Sequence, residues 1–233
     1  MTKVQVVAKS EKGLVRKTNE DRLFASDNLI AVADGMGGHL AGEVAAQIAV
    51  DALAELSIED NVLDTLEAVF LETNRTIFEQ GKNNKEQEGM GTTLTVCYVK
   101  DYKGYIGHVG DSRAYLVRGS SVVQLTQDHS YVNQLVALGT LSQEEAHKHP
   151  QRNILLRVLG TIEDCEVDLF EIDLEKGDRI LLASDGLVAD LAKETIDEIL
   201  LSKNSLEDVA DKLVEAALAS GGRDNVTVVL GQV

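Results

Sequence analysis

Leu29-Ile-Ala-Val-Ala-Asp34-Gly35 is a short unbroken apolar run that ends in an aspartate and a glycine. A run of this length bounded by a turn signal reads as a strand buried on both faces. Tyr105-Ile-Gly-His-Val-Gly-Asp111 and Arg179-Ile-Leu-Leu-Ala-Ser-Asp185-Gly186 repeat the design, and a fourth aspartate, Asp224, stands just before the apolar run Val226 to Leu230. Any one Asp-Gly pair is as well explained as a plain turn. Several strands that deliver a carboxylate to their ends also suit a hard divalent cation such as Mg²⁺ or Mn²⁺, whose usual ligands are carboxylates, carbonyls and water. Carboxylates sharing a pocket need cations to neutralise them.

Outward from these strands the chain alternates between two periods. Val4 to Ala8 and Arg22 to Ala25 read as strands before the first run. Leu40, Val44, Ile48, Ala52 and Leu56 recur every four residues, which predicts a helix with that stripe inward. A second helix is expected over about 61–80, with Val62, Leu66, Val69, Phe70, Thr73 and Ile77 on its inner face. Thr93 to Val99, Tyr105 to Val109, Ala114 to Arg118 and Ser121 to Leu125 are rich in Val, Leu, Tyr and Thr, the pattern of an antiparallel meander.

Residues 130–160 turn helical and polar, with a capping-box spelling at Ser142 to Glu145, and read as an inserted lid. Strands over Glu166 to Ile172 and Arg179 to Ala183 follow, then helices near Lys193 to Leu201 and Ser205 to Ala219. Ser205 and Asp208 fit an N-cap and its partner, Gly221 and Gly222 end the last helix, and Asn225 to Leu230 is a final strand. No repeat or linker interrupts the 233 residues, so the expectation is one domain over 1–233, with two sheets covered by helices.

The charge narrows the function. The chain has 22 Lys+Arg and 39 Asp+Glu, a formal net charge of −17. Such a chain is repelled by phosphate backbones and anionic bilayers, so nucleic-acid and membrane partners are not expected. No run approaches the roughly eighteen apolar residues of a membrane span. Cys97 and Cys165 lie far apart and outside any Cys-x-x-Cys pattern, which suits core thiols and a cytoplasmic location. Gly35-Met-Gly37-Gly38-His39-Leu40 lacks the third glycine of a dinucleotide loop, Ser184 lacks the glycines of a nucleophile elbow, and no EF-hand loop is spelled.

Seven motifs in order then carry a resemblance. Arg16-Lys-Thr-Asn19-Glu20-Asp21, Ala33-Asp34-Gly35-Met36-Gly37-Gly38, Gly91-Thr92-Thr93 and Gly110-Asp111-Ser112-Arg113 come first, followed by Leu125-Thr126-Gln-Asp128-His129-Ser130, Ser184-Asp185-Gly186-Leu187 and Arg223-Asp224-Asn225-Val226-Thr227. Spanning residues 16–229, the set resembles the PPM (type-2C) metal-dependent serine/threonine protein phosphatases, and Gly-Met-Gly-Gly-His is similar to the bacterial branch.

The resemblance implies an α+β fold, a four-layer α-β-β-α sandwich of two central antiparallel sheets flanked by helices, with a flap over about 131–157. It implies that Asp34 bridges two Mg²⁺ or Mn²⁺ ions, that the Gly35 carbonyl holds one, and that Asp185 and Asp224 hold the other. Asp111 with Asp185 would take a weaker third ion, Glu20 would orient a metal-bound water, and Arg16 would clamp the substrate phosphate. Two cations would acidify a bridging water into the nucleophile, with no covalent intermediate. Asp21 is either a support for Arg16 or a metal water, or the end of its loop. Asn19 and Asn225 read as turn-formers, Gly37 and Gly38 as a loop passing close to the cations, and Arg113 as the buried partner of an acid. Asp128-His129-Ser130 reads as a helix cap, and His147 and His149 as residues of a solvated loop.

Met36 stands where many eukaryotic relatives place a histidine as general acid. That leaves a water on the third cation, or His39, as proton donor; His39 is equally a loop histidine or a substrate contact. The implied partners are phosphorylated proteins, the substrates of a bacterial Ser/Thr kinase and the kinase itself, met by a monomer. A catalytically silent metal-binding module of the same fold is the alternative, and a calcium buffer is disfavoured because the acids are scattered rather than contiguous.

Overall fold

The computed structural model describes residues 3–37, 41–58, 61–189 and 191–233. Two antiparallel sheets lie face to face. The first, in the order β1 (Gln5–Glu11), β11 (Val226–Gln232), β10 (Arg179–Ala183), β7 (Arg113–Arg118), β8 (Ser121–Gln124), joins the two ends of the described chain. The second runs β2 (Asp21–Ala25), β3 (Leu29–Met36), β5 (Leu94–Lys100), β6 (Lys103–Val109), β9 (Asp168–Asp173), with the two-residue β4 (Gly91–Thr92) on the end of β3.

The apolar runs are continuous because both faces of each sheet are covered, and strand alternation sends successive side chains to different cores. Ile30 and Val32 of β3 meet Ile180, Leu182 and Val229 between the sheets. Ala31 and Ala33 point the other way, to α1 (Gly42–Ala54) and α2 (Val62–Asn83). Leu181, Ala183, Val228 and Leu230 face α5 (Asp185–Val188), α6 (Lys193–Leu200) and α7 (Leu206–Ala219). The layers are therefore α-β-β-α, the α+β arrangement expected. Fully buried side chains such as Phe70, Leu66 and Leu181 each contribute about 1.5–3 kcal/mol relative to exposure.

Two expectations are corrected. The stretch 93–125 is not one meander: β5 and β6 form a hairpin in the second sheet, β7 and β8 a hairpin in the first, and the chain crosses between sheets at Gly110-Asp111-Ser112. Nor does α1 bury the predicted stripe. Ala45, Ala46, Ala49, Val50 and Leu53 are buried, whereas Val44, Ile48 and Leu56 are only partly covered and Leu40 lies outside the described residues. A row of small side chains lets the helix approach the sheet closely, and larger residues at its edges seal the contact.

The expected inner face of α2 is buried except for the partly covered Val69, and Asn74 joins it. The Ser142–Glu145 capping box and the Ser205 cap on Asp208 form as spelled. Within 131–157, α3 (Tyr131–Ala137) and α4 (Gln143–Lys148) make a two-helix excursion. Its base is closed by hydrogen bonds from Tyr131 N–H to the Ile154 carbonyl and from Leu156 N–H to the His129 carbonyl.

Candidate functional site

The acids collect where strands of both sheets end on one side. Asp34 is not at a strand terminus: β3 continues through Gly35 and Met36, which pair with Thr92 and Gly91. Its main chain is held from three directions. The Asp34 N–H donates to Thr93 Oγ1 (2.9 Å), and its carbonyl accepts from Thr93 N–H (2.9 Å) and Thr92 Oγ1 (3.0 Å). Thr93 Oγ1 lies 2.7 Å from Ser112 Oγ, beside Asp111 at the crossing between sheets. Asp185 opens α5, and Asp224 directly precedes Asn225 and β11.

Arg16 sits in the loop between β1 and β2. That loop is pinned to the C-terminal strand by Asn225, whose side chain donates to the Lys12 and Thr18 carbonyls and accepts from Glu20 N–H. The turn-former expectation thus holds for Asn19, which accepts from Asp21 N–H, but Asn225 bridges segments two hundred residues apart. Arg16 Nη2 donates to Asp224 Oδ2 at 2.6 Å, while Asp224 Oδ1 accepts from Asn225 N–H at 2.8 Å.

A cavity of about 190 Å³ is lined by Arg16, Glu20, Asp34, Gly35, Asp111, Asp185 and Asp224. Met36, Gly37, Thr93, Asn153 and Leu155 complete the wall. Asp21 lies behind it, in register with Asp34 across β2 and β3 and only 2% exposed, its Oδ2 accepting from Ser184 Oγ. It makes no bond to Arg16, whose partner is Asp224. Gly37 has φ +155°, as a loop free of Cβ allows, while Gly38 and His39 lie outside the described residues.

Arg113 does pair with an acid, Asp128, through Nε and Nη2 (2.9 and 2.7 Å), though both side chains are only half-buried. Ser130 caps α3 as expected. His147 and His149 are not in a loop: they sit on the last turn and C-cap of α4, and neither joins a cluster of three metal-ligating side chains among the described residues. Asn153, Leu155 and Ser184 are site neighbours that sequence reasoning missed. The first two gave no signal beyond lying in the polar insertion, and Ser184 stood beside Asp185 without a nucleophile-elbow pattern.

Crowding acids into a partly buried cleft is costly. Burial, reinforced by the charges of Asp21, Asp185 and Asp111, holds the Asp34 carboxyl well above the usual carboxylate range. Burial with Asp185 nearby does the same to Asp111. Asp21 is pushed up to about 7 and Asp185 to about 6, in both cases first by burial. Glu20 is raised by burial against the opposing charge of Arg16. One oxygen of Asp185 and one of Asp21 are buried with no hydrogen-bond partner.

Orphaned buried carboxylate oxygens beside a single arginine fit hard divalent cations. The carboxyls line the cavity without forming a finished shell: no three metal-ligating side chains converge on one point among the described residues. Asp224 is engaged with Arg16 instead.

Fold and site together define an α-β-β-α sandwich with a carboxylate-lined cleft where its two sheets meet. Residues 16–225 match the family described as protein phosphatase 2C, and the chain belongs to that family. It is 43% identical to serine/threonine protein phosphatase PstP of Mycobacterium tuberculosis over 99% of this chain, and spans 45% of that relative's length. Serine/threonine phosphatase stp of Listeria monocytogenes is 38% identical, with 95% of this chain and 93% of the relative covered. Among solved structures, the catalytic domain of PstP in complex with two manganese ions superposes with a TM-score of 0.92 at 40% identity, covering 99% of this chain and 98% of that one.

Proposed function

We propose that this chain hydrolyses phosphoserine and phosphothreonine in proteins with the help of two divalent cations, Mg²⁺ or Mn²⁺. The observation that carries the reading is the meeting of Asp34, Asp185, Asp224 and Arg16 in one cavity of a chain whose relatives are named serine/threonine phosphatases. Asp34, the Gly35 carbonyl, Asp185 and Asp224 would hold the two cations, and Asp111 with Asp185 a weaker third. Cations bound there would supply an acidified water and positive charge against the phosphoryl oxygens.

The chain's own residues do the rest. Arg16 presents a planar fork to two phosphate oxygens once it leaves Asp224. Glu20, at the cavity wall, orients the attacking water, and Asp21 supports the carboxyls from behind. Met36 lines the cavity and has no proton to give; His39, or an acidified water that a cation held by Asp111 and Asp185 would supply, are the donors we assign to the leaving group.

The flap reading of 131–157 is supported by a cavity of about 110 Å³ with Asp111 and Asp185 on one wall and Gln143, Ala146 and His147 of α4 on another. Phosphoproteins made by a bacterial Ser/Thr kinase, and the kinase itself, are the substrates we assign, acted on by a monomer in the cytoplasm. Among the described residues no helix is long and apolar enough to cross a membrane.

Hydrolysis of p-nitrophenyl phosphate tests the reading. Activity is expected with Mn²⁺ and is expected to vanish in EDTA; Asp34→Asn should cost about two orders of magnitude or more. Turnover that survives chelation would overturn it.

A further inference from the structure

We infer that His129 is a positioning residue: it holds the Gly110–Asp111 turn in place and ties it to the chain returning from α4. The inference rests on the phosphatase reading only for its kinetic readout.

His129 grips Gly110 twice. The Gly110 N–H donates to His129 Nδ1 (3.1 Å), and the His129 N–H donates to the Gly110 carbonyl (2.7 Å). Gly110 needs such a grip. Its φ is +113°, and a Cβ there would lie 2.5 Å from Thr93 Cβ, so the turn that aims Asp111 at Asp185 is set by its surroundings rather than by local preference.

The partners fix the tautomer. Nδ1 accepts the hydrogen bond of an amide and so carries no proton; the ring proton sits on Nε2 and points at Asp168 Oδ2, 3.1 Å away, with Arg157 Nη1 farther off at 3.4 Å. Asp168 Oδ1 in turn accepts from Arg157 Nη1 (2.9 Å). The ring packs against His108 at a tilt of 42°, with centroids 4.7 Å apart, and His108 Nε2 donates to the Gln127 carbonyl (3.0 Å). His129 is 9% exposed, and burial shifts its pKa downward, which keeps Nδ1 an acceptor.

The other end of the linkage is the insertion. The His129 carbonyl accepts from Leu156 N–H (2.7 Å), Ser130 bridges to Leu155, and Leu155 lines the acid cavity. One buried residue therefore anchors both the turn before Asp111 and the strand-like return of the insertion. A displacement at either end is passed to the other through two hydrogen bonds.

The test separates positioning from mere core filling. His129→Leu removes the acceptor; His129→Asn keeps an oxygen near the Nδ1 position and loses the donor to Asp168. Because His129 acts on Asp111 through the Gly110 main chain, its loss should fall at the low end of the 10- to 100-fold typical of direct partners of a ligand: His129→Leu is expected to lower kcat on p-nitrophenyl phosphate at saturating Mn²⁺ by about tenfold with KM nearly unchanged. His129→Asn should recover most of that loss, and in an Asp111→Asn background His129→Leu should cost little.

Gly110 amide exchange, read by NMR in EDTA, should accelerate about tenfold in His129→Leu and stay slow in His129→Asn. Asp168→Asn, at a side chain 40% exposed, gives a second variant that loosens the same ring should His129→Leu not fold. Exchange that responds this way in a protein inactive on every phosphate ester would support the positioning role and sink the phosphatase reading. A full His129→Leu loss that persists in Asp111→Asn, or Gly110 exchange indifferent to the acceptor, would overturn the inference.

Discussion

Asp224 has both carboxylate oxygens engaged, one by Arg16 and one by the Asn225 amide, whereas Asp185 keeps an oxygen with no partner. Arg16 is thus the countercharge of the site as described, and in the proposed reaction it exchanges a carboxylate for a phosphate. Arg16→Ala should lower kcat/KM on p-nitrophenyl phosphate by about a hundredfold, and Arg16→Lys should restore little, because an ammonium cannot fork onto two oxygens. Steady-state kinetics of the two variants decides it; full rescue by lysine would show that charge alone is needed.

A second residue, outside the acid cavity, carries a pH signature of its own. His108 is wholly buried, and burial lowers its pKa from 6.5 to about 4. The unfolded chain takes up a proton near 6.5 that the folded one refuses until about 4, so stability falls as pH drops through that window, by about 3 kcal/mol. Urea titrations at pH 7 and pH 4 should show that loss shrinking in His108→Gln. Arg16, Asp34, Asp111, Asp185 and Asp224, which line one cavity, were legible because each sits in a short motif: Asp111, Asp185 and Asp224 beside strand ends, Asp34 within β3 and Arg16 in the loop after β1. His108 and Ser184 were not, since what gives them meaning, Gln127 and His129 for one and Asp21 for the other, comes from other segments.

At the scale of elements, α1 shows where periodicity misleads. A repeat of every fourth residue drifts around a helix with 3.6 residues per turn, and the large apolar side chains it picks out lie at the edge of the contact. The sheet is met instead by Ala45, Ala46 and Ala49, all fully buried. Ala49→Leu should therefore destabilise by about 1–3 kcal/mol through overpacking, measured by urea unfolding, although leucine ranks next to alanine as a helix former. A neutral result would mean the helix can shift away from the sheet at no cost.

The meander reading failed for a related reason. Local β signals do not reveal which sheet a strand joins, and the switch at Gly110 to Ser112 depends on packing across the sandwich. The insertion was legible as polar helices with a capping box and, through the resemblance, as a flap beside the site; that Asn153 and Leu155 are the residues that reach the cavity was not. If α3 and α4 select substrates, replacing them by a short loop should reduce turnover of a phosphoprotein by about tenfold or more while p-nitrophenyl phosphate hydrolysis changes far less. Equal losses on both substrates would assign the segment to the chemistry itself.

At the scale of the whole molecule, the charge of −17 divides into two unlike parts. Most of it is solvated surface, which weighs against anionic partners at long range and stands apart from the cavity. Asp21, Asp34, Asp111 and Asp185 are different: they are drawn together at the junction between the sheets, where burial and their mutual repulsion push their pKa values up. A protein keeps such an arrangement only where function needs it. Without cations, removing one of these charges should help folding. Asp21→Asn, which preserves shape and an acceptor for Ser184, should stabilise the EDTA-treated protein at pH 8 by about 1–2 kcal/mol. Saturating Mn²⁺ should reverse the order, since a ligand at a hundred times its Kd adds about 2.7 kcal/mol to a chain that binds it fully and less to one that binds it weakly. Urea unfolding of both proteins, with EDTA and with Mn²⁺, reads the two differences. If Asp21→Asn is the less stable protein in EDTA, the acids are not in conflict with the fold, and the stability argument for a cation at this junction is lost.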